Sequence, residues 1–386
     1  MVDVAVVGAG PVGMATALAL ARRGMVVTLV ESRRGAPLDK ACGEGLMPDA
    51  LESLREVGVD LAPGGWALRG IRYLDERHQV AAGFPFRGGR GVRRLELSER
   101  FTRAVAAQPA IEPRRGVRAE LVDDAAKGRW GLALRRGPGA AEPAEVLWPR
   151  WIVAADGLRS PLRRQCGLAA PAGAAQRFGA RVHFEVAPWS DEVEVYWLDG
   201  LEAYVTPVAE DVVGLAILWW RRGERAGFEQ HLERVWRAFP SLHERLAGAP
   251  RASAPRGAGP LHQRVRAVVD RNLLLVGDAS GYLDAITGEG MALGFADALA
   301  VAEALDRGRP ALYARLHRRR RRVPLLLMHA ALQLSRRPRL RRGALRLLAA
   351  RPGIFARLLA LHVGESGAAL RGGVVRRRRK ADLGAT

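Results

Sequence analysis

Residues 3–31 read DVAVVGAGPVGMATALALARRGMVVTLVE, and the fold follows from this stretch. Val4 to Val7 is a short unbroken apolar run, as expected of a central parallel strand buried on both faces. It leads directly into Gly8-Ala9-Gly10-Pro11-Val12-Gly13, a GxGxxG turn. Ala15 to Arg23 then has the small and apolar residues of a buried helix, Gly24 ends it, and Val26 to Val30 is a second buried strand closing on Glu31. In such a βαβ unit the first glycine turns the chain, the second lets backbone approach a pyrophosphate, and the third lets helix pack on strand. The helix amino end faces the phosphates. Glu31 follows Gly8 by 23 residues, where a carboxylate can accept hydrogen bonds from both ribose hydroxyls and would repel a 2′-phosphate. The adenosine is therefore expected to be unphosphorylated, as in FAD or NAD. In a chain with 44 glycines a bare GxGxxG is a weak signal, and its weight comes from the strand, helix and terminal acid around it.

The 386 residues, 48% of them hydrophobic, suffice for two domains with sizeable cores. Cys42 and Cys166 are the only cysteines, which excludes a disulfide framework and argues against a Cys-based metal site. No metal is expected, and a reducing, cytoplasmic setting fits. Only Val2 and Asp3 separate Met1 from the first core strand, so no targeting segment is expected ahead of the fold. The net charge of +21 is local: residues 315–380 hold 20 Lys+Arg against one acid, Glu365, while the rest carries 41 basic and 39 acidic residues. That segment has a single aromatic, Phe355, which argues against nucleic acid as its partner.

Between the two ends the chain alternates buried strands with glycine turns. Lys40-Ala41-Cys42-Gly43-Glu44-Gly45 leads to a helix from about Pro48 to Val57. Such a turn can close on a flat ligand, with Cys42 either beside it or simply buried and Lys40 either near it or solvated. Residues 66–90 alternate in strand fashion (Ile71, Tyr73; Val80, Ala82), and Gly91 to Ala107 reads as a strand entering a helix, with Arg93 or Arg94 in reach of a cofactor. Trp151 to Ala155 is a buried strand followed by Asp156-Gly157-Leu158-Arg159-Ser160-Pro161-Leu162-Arg163. Residues 178–220 alternate as an antiparallel sheet, the floor of a substrate pocket, on which Arg181, His183 and Tyr204 are candidates by position. Asn272 to Val276 runs into Gly277-Asp278, then Gly288-Glu289-Gly290-Met291 and a helix from about Ala292 to Leu305. Asp278 suits either a ligand hydroxyl or a helix cap.

Together the amino-terminal GxGxxG, the central DG segment (Asp156, Gly157, Ser160, Arg163) and the late GD segment (Gly277, Asp278, Gly288) resemble the FAD-dependent oxidoreductases. That family includes aromatic-ring hydroxylases, geranylgeranyl reductases and flavin halogenases. The resemblance covers about residues 1–310. It implies that Gly8, Gly10, Pro11, Val12 and Gly13, with Glu31, Ser32 and Arg33, hold the ADP half, and that Arg94, or its neighbour Arg93, contacts the cofactor. It further implies that Asp278 takes the ribityl chain, and that Gly288, Glu289, Gly290 and Met291 lie against the flavin ring near Lys40, Cys42 and Gly43. The Asp156-Gly157 segment would serve the FAD pyrophosphate and a transient NADPH or NADH. Lys40 to Gly45 is similar to the KxCGG stretch of the geranylgeranyl reductases, and Tyr204 to Pro207 occupies the place of their YxWxFP segment with the Trp replaced. Trp219-Trp220 is followed by arginines, so the WxWxIP segment of halogenases is missing.

The expected fold class is α/β. It comprises a three-layer ββα, Rossmann-like FAD domain (1–65, 91–170 and 266–310), an antiparallel β-sheet substrate domain (66–90 and 171–265), and a basic helical C-terminal extension (311–373), with 374–386 a disordered tail. The expected activity is NAD(P)H-dependent monooxygenation of a lipophilic or phenolic small molecule. The alternatives are reduction of prenyl double bonds and, from another class, a non-catalytic flavin-binding or membrane-recruited protein. No catalytic base is identified. The extension is expected as helices broken by Pro324, Pro338 and Pro352, with stripes (Leu345, Leu347, Leu348; Phe355, Leu358, Leu359) and arginines suited to an anionic membrane surface at the inner face, or else to packing on the body.

Overall fold

In the first strand, Val4–Val7, alternate side chains point to opposite faces: Val4 and Val6 into a helical layer, Ala5 and Val7 into a β layer. The computed structural model describes residues 2–85, 87–137, 143–171, 176–221 and 227–363, so the tail at 374–386 lies outside it. Val4–Val7 pairs in parallel with Val27–Glu31 on one side and Trp151–Ala154 on the other. Ile111–Arg115 and Leu273–Leu275 extend the sheet outward, and Val269–Asp270 adds an antiparallel edge. Helices Pro11–Ala21, Arg94–Ala106 and Gly290–Asp306 cover one face, and an antiparallel meander (Val117–Asp124, Arg129–Arg136, Glu145–Leu147) covers the other. This is the expected three-layer arrangement. Parallel strands require both covers, because their unbroken apolar runs leave no face fit for water.

The second sheet has seven strands in the order 256–258, 177–185, 212–220, 201–209, 192–198, 70–74 and 79–83. Every neighbouring pair is antiparallel except Gly70–Leu74 with Glu192–Leu198. Residues 70–83 thus join a sheet whose other strands all begin beyond residue 176 in sequence. Helices Phe228–Ala238 and Pro240–Leu246 close one face of it around Leu232, Val235 and Leu242.

The C-terminal segment departs from the sequence reading in two ways. Pro324 does not break a helix, because Pro310–Arg336 continues through it for 27 residues. The missing backbone bond there is offset by anchors on both sides of the proline: Tyr313 and Arg321 before it, Met328 and Leu332 after it, all buried. Pro338 and Pro352 do open new helices, Pro338–Ala350 and Pro352–His362, at the first-turn position where a missing N–H is harmless. The stripes are also divided differently. Leu345, Phe355 and Leu359 are buried with Met328 and Leu332 against Ile71, Val80 and Val195 of the second sheet, and Phe355 meets Tyr73 edge-on at 5.6 Å. Arg341, fully buried, lies 2.9 Å from Asp199. No helix among the described residues is long and apolar enough to cross a membrane.

This division sets a direct comparison. Leu345→Ala should cost about 2–5 kcal/mol in urea unfolding through the cavity it leaves, whereas Leu347→Ala, two residues away and exposed, should stay within about 0.5 kcal/mol. Equal effects would mean that the 338–350 helix does not dock on the sheet.

Candidate cofactor and substrate site

The glycine turn is built by exclusion. Gly8 has φ +107°, and a Cβ there would stand 2.4 Å from the Ala155 carbonyl oxygen; a Cβ on Gly13 would stand 1.8 Å from that of Gly8. Gly10 differs, since a Cβ there would meet only the Arg94 guanidinium, at 3.9 Å. The open space over Gly10, at the amino end of Pro11–Ala21 and topped by a cation, fits a pyrophosphate. Arg94, rather than Arg93, is therefore the arginine that tops this space. Its Nε is buried without a partner, and its Nη1 lies 3.9 Å from the Met291 sulfur. Glu31 Oε2 accepts from the Ala9 N–H at 2.9 Å, and Oε1 accepts from the Arg33 N–H at 2.9 Å and the Ser32 hydroxyl at 3.2 Å. Glu31 thus shapes the turn that it closes.

The DG and GD segments are joined by one side chain. Arg163, buried, donates to the carbonyls of Asp278 and Ala279 at 3.1 Å each, to the Leu158 carbonyl at 2.8 Å and to Gln263 Oε1 at 2.9 Å. It is a tertiary staple. Asp156 accepts from the Leu162 N–H at 3.1 Å while its other oxygen is buried and unpaired, and burial raises its pKa. Asp278 caps no helix; its carboxylate takes the Lys40 ammonium at 2.8 Å. Burial works to raise the Asp278 pKa, and Lys40 with Arg94 holds it below the ordinary carboxylate range. Lys40 also stands close to Gly157, so it sits among cofactor segments. The orphaned Arg94 and Asp156 atoms and the space over Gly10 are where the structure fits FAD.

Cys42 lies in the same loop, its sulfur 3.3 Å from the Glu44 N–H, with burial raising the thiol pKa. Gly43 beside it has open space on its Cβ side. Glu44, at φ +60°, is buried: Oε1 accepts from the Arg94 N–H at 2.8 Å and Oε2 lies 2.6 Å from His183 Nε2. Arg181 bonds Asp39 at 2.6 Å. The expected pocket residues Arg181 and His183 are therefore committed to holding this loop on the second sheet. Tyr204 is likewise engaged, with Glu202 Oε2 at 2.6 Å and the Ile286 carbonyl at 2.8 Å, and Glu202 is shared with the buried Arg177 at 2.7 Å.

Three features escape local sequence reading. Tyr282 places its hydroxyl beside Gly290, 3.6 Å from where a Cβ would be, in an apolar cluster with Leu158, Leu218 and Leu261. Burial keeps that hydroxyl protonated, its pKa well above the ordinary tyrosine value. Glu289 turns to the C-terminal helix: its Oε1 is 3.0 Å from His362 Nδ1, and His362 Nε2 is 3.0 Å from the Thr287 carbonyl oxygen. Asp49 faces the same pair, and burial, reinforced by the Glu289 charge, pushes it up to about 7. Burial opposes the His362 imidazolium, yet Glu289 holds its pKa above the ordinary value.

Two expectations follow. Asp278→Ala should weaken FAD retention about tenfold to a hundredfold, the worth of a hydrogen bond to a charged group, while the apoprotein's melting point hardly moves, because the pair with Lys40 is half-exposed. Equal stability losses with and without FAD would assign Asp278 a structural role. Asp49 is raised from an ordinary 3.8 to about 7, so its contribution to stability is full below 3.8 and lost as pH rises to about 7. Asp49→Asn, which cannot ionise, should therefore gain in Tm on the wild type across that window; a constant difference would refute the shift.

Comparison with known proteins agrees with this geometry. The family model for the FAD binding domain matches residues 1–66 and 95–331, beyond the span expected from the motifs and into the basic helix. A menaquinone reductase of Mycobacterium tuberculosis is 30% identical over 331 residues, covering 79% of this chain and 76% of that protein. The 3-demethoxyubiquinol 3-hydroxylase of Escherichia coli is 26% identical over 334 residues, covering 80% of each. A flavoprotein/dehydrogenase from Cytophaga hutchinsonii shares the fold at a TM-score of 0.82 and 16% identity, covering 97% of this chain and 95% of that one. The chain belongs to the FAD binding domain family, and it is an FAD-dependent oxidoreductase.

Proposed function

We propose that this flavoprotein reduces a carbon–carbon double bond in a prenyl-bearing lipid, with NADPH or NADH as transient reductant. The observation that carries the reading is the wall beside Gly290. There Leu158, Leu218 and Leu261, all buried, pack with the partly buried Tyr204 and Tyr282 into an apolar cluster, while the neighbouring buried carboxylates Glu44, Glu202 and Asp284 are paired with Arg181 and Arg177. An apolar lining of this kind suits a hydrocarbon chain better than a phenolate. The menaquinone reductase relative is named for a quinone that carries a prenyl chain, and the Lys40 to Gly45 stretch resembles that of geranylgeranyl reductases. FAD, when bound, supplies the redox chemistry. The protein excludes water with the apolar wall, and it holds a proton at the Tyr282 hydroxyl beside the Gly290 turn.

The 3-demethoxyubiquinol 3-hydroxylase relative, which matches a similar share of the chain, favours monooxygenation as a second reading. Turnover separates the two. Holoenzyme, NADH or NADPH and menaquinone are incubated under labelled dioxygen, in parallel with an anaerobic reaction, and the lipid is read by mass spectrometry. A product that gains two hydrogens in both atmospheres is expected. Incorporated label would select the hydroxylase reading, and cofactor oxidation without change in the lipid would exclude both for this substrate. Tyr282→Phe should lower turnover about tenfold or more if its proton is used, with FAD still bound.

A further inference from the structure

The apolar side chains that face outward from the C-terminal helices are only partly those of the sequence stripes. Leu345 and Leu359 are buried, but two residues on, about 200° around the helix, Leu347 and Leu361 are 52% and 45% exposed. Leu326, opposite buried Met328, is 68% exposed. Ten large apolar side chains are exposed among the described residues, and seven of them fall between Val323 and Leu361. Single exposed apolar residues need no explanation, whereas such a concentration does.

The charge around them has one sign. Residues 315–363 contain 14 arginines and no Asp or Glu. Two arginines, Arg321 and Arg341, are buried as staples, and the other 12 are exposed. Among the described residues, Arg342 alone of those 12 has a carboxylate within ion-pair distance. Arg322, Arg351 and Arg357 each stand four residues from one of the outward leucines Leu326, Leu347 and Leu361.

We propose that the outer faces of these three helices dock on an anionic lipid surface. Leucines at this spacing enter the acyl boundary, and arginine stems reach back to the phosphates. Nucleic acid is the poorer match: the two aromatic rings of these helices, Tyr313 and Phe355, are buried and unavailable for stacking, and outward leucines add nothing to phosphate contacts. The face is also close to the chemistry. The 352–362 helix turns Leu358 and Leu361 outward and holds His362 on Glu289 and Thr287 of the cofactor loop. The inference stands on surface chemistry and does not depend on which reaction the flavin serves.

The test is sedimentation of the full-length holoenzyme with phosphatidylcholine vesicles, with and without phosphatidylglycerol. It is run beside a triple variant carrying Leu326→Ser, Leu347→Ser and Leu361→Ser. These positions are exposed, so bound FAD and thermal unfolding should match the wild type. The wild type should bind the phosphatidylglycerol vesicles at least about tenfold better than the neutral ones and lose binding as salt rises. The variant should lose about tenfold on the anionic vesicles. Equal binding to both vesicle types, binding to neither, or a variant that binds like the wild type would overturn the proposal. Retention on duplex DNA that survives the leucine changes, without vesicle binding, would assign the face to nucleic acid and overturn it too.

Discussion

The guanidinium of Arg163 donates to three backbone carbonyls and one side-chain amide drawn from segments about a hundred residues apart, and the site depends on that junction. Burial presses its pKa down, yet an arginine stays charged at any physiological pH, so the cost of removing it from water is met by these directed bonds. Without the guanidinium, the Asp278, Ala279 and Leu158 carbonyls would lose this donor in a buried setting. The fixed fork of the side chain makes their relative position specific, which a sliding apolar contact would not.

The same device recurs at each seam. Arg321 reaches Asp297 at 2.6 Å, and Asp297 in turn accepts the Gly277 N–H at 3.1 Å, so the C-terminal helix is fastened to the segment that presents Asp278. His317 lies 3.0 Å from the Ser280 hydroxyl, and its pKa falls to about 4 through burial. Tyr313 donates to the Leu275 carbonyl. On the other side, Arg177 joins Glu202 to Asp284, and Arg181 joins the loop of Lys40 to the second sheet. Buried ion pairs of this kind contribute little net stability compared with apolar packing, but breaking one leaves an uncompensated charge, so they fix register between elements.

Arg94 and the space over Gly10 form one end of the candidate site; Tyr282, beside Gly290, forms the other. Glu289 ties the loop between them to His362, so a helix outside the nucleotide motifs bears on the cofactor loop. The large positive charge of the chain thus has two separate uses. A few arginines are internal fasteners, and the 12 exposed ones between 315 and 363 cover helices whose inner faces are part of the core.

Local pattern determined a great deal. The apolar run Val4 to Val7, the glycines at 8, 10 and 13 and the acid at 31 are constraints of the backbone within a single βαβ unit, so their meaning does not wait on distant partners. Alternation likewise marked the strand at 79–83, whose side chains are buried and exposed in turn, whereas the strands at 177–220 are buried almost throughout and only the structure shows what covers both faces. Tertiary structure decided the rest. Arg163 and Arg164 are neighbours of identical type, yet one is buried on four acceptors and the other is exposed; Leu345 and Leu347 share a helix and part in the same way. The partners that make His362 and Glu44 matter, and the leucines 158, 218 and 261 packed around Tyr282, lie tens to hundreds of residues away in sequence. Residue type and spacing specify what a side chain can do, while burial and partner are properties of the whole packed chain.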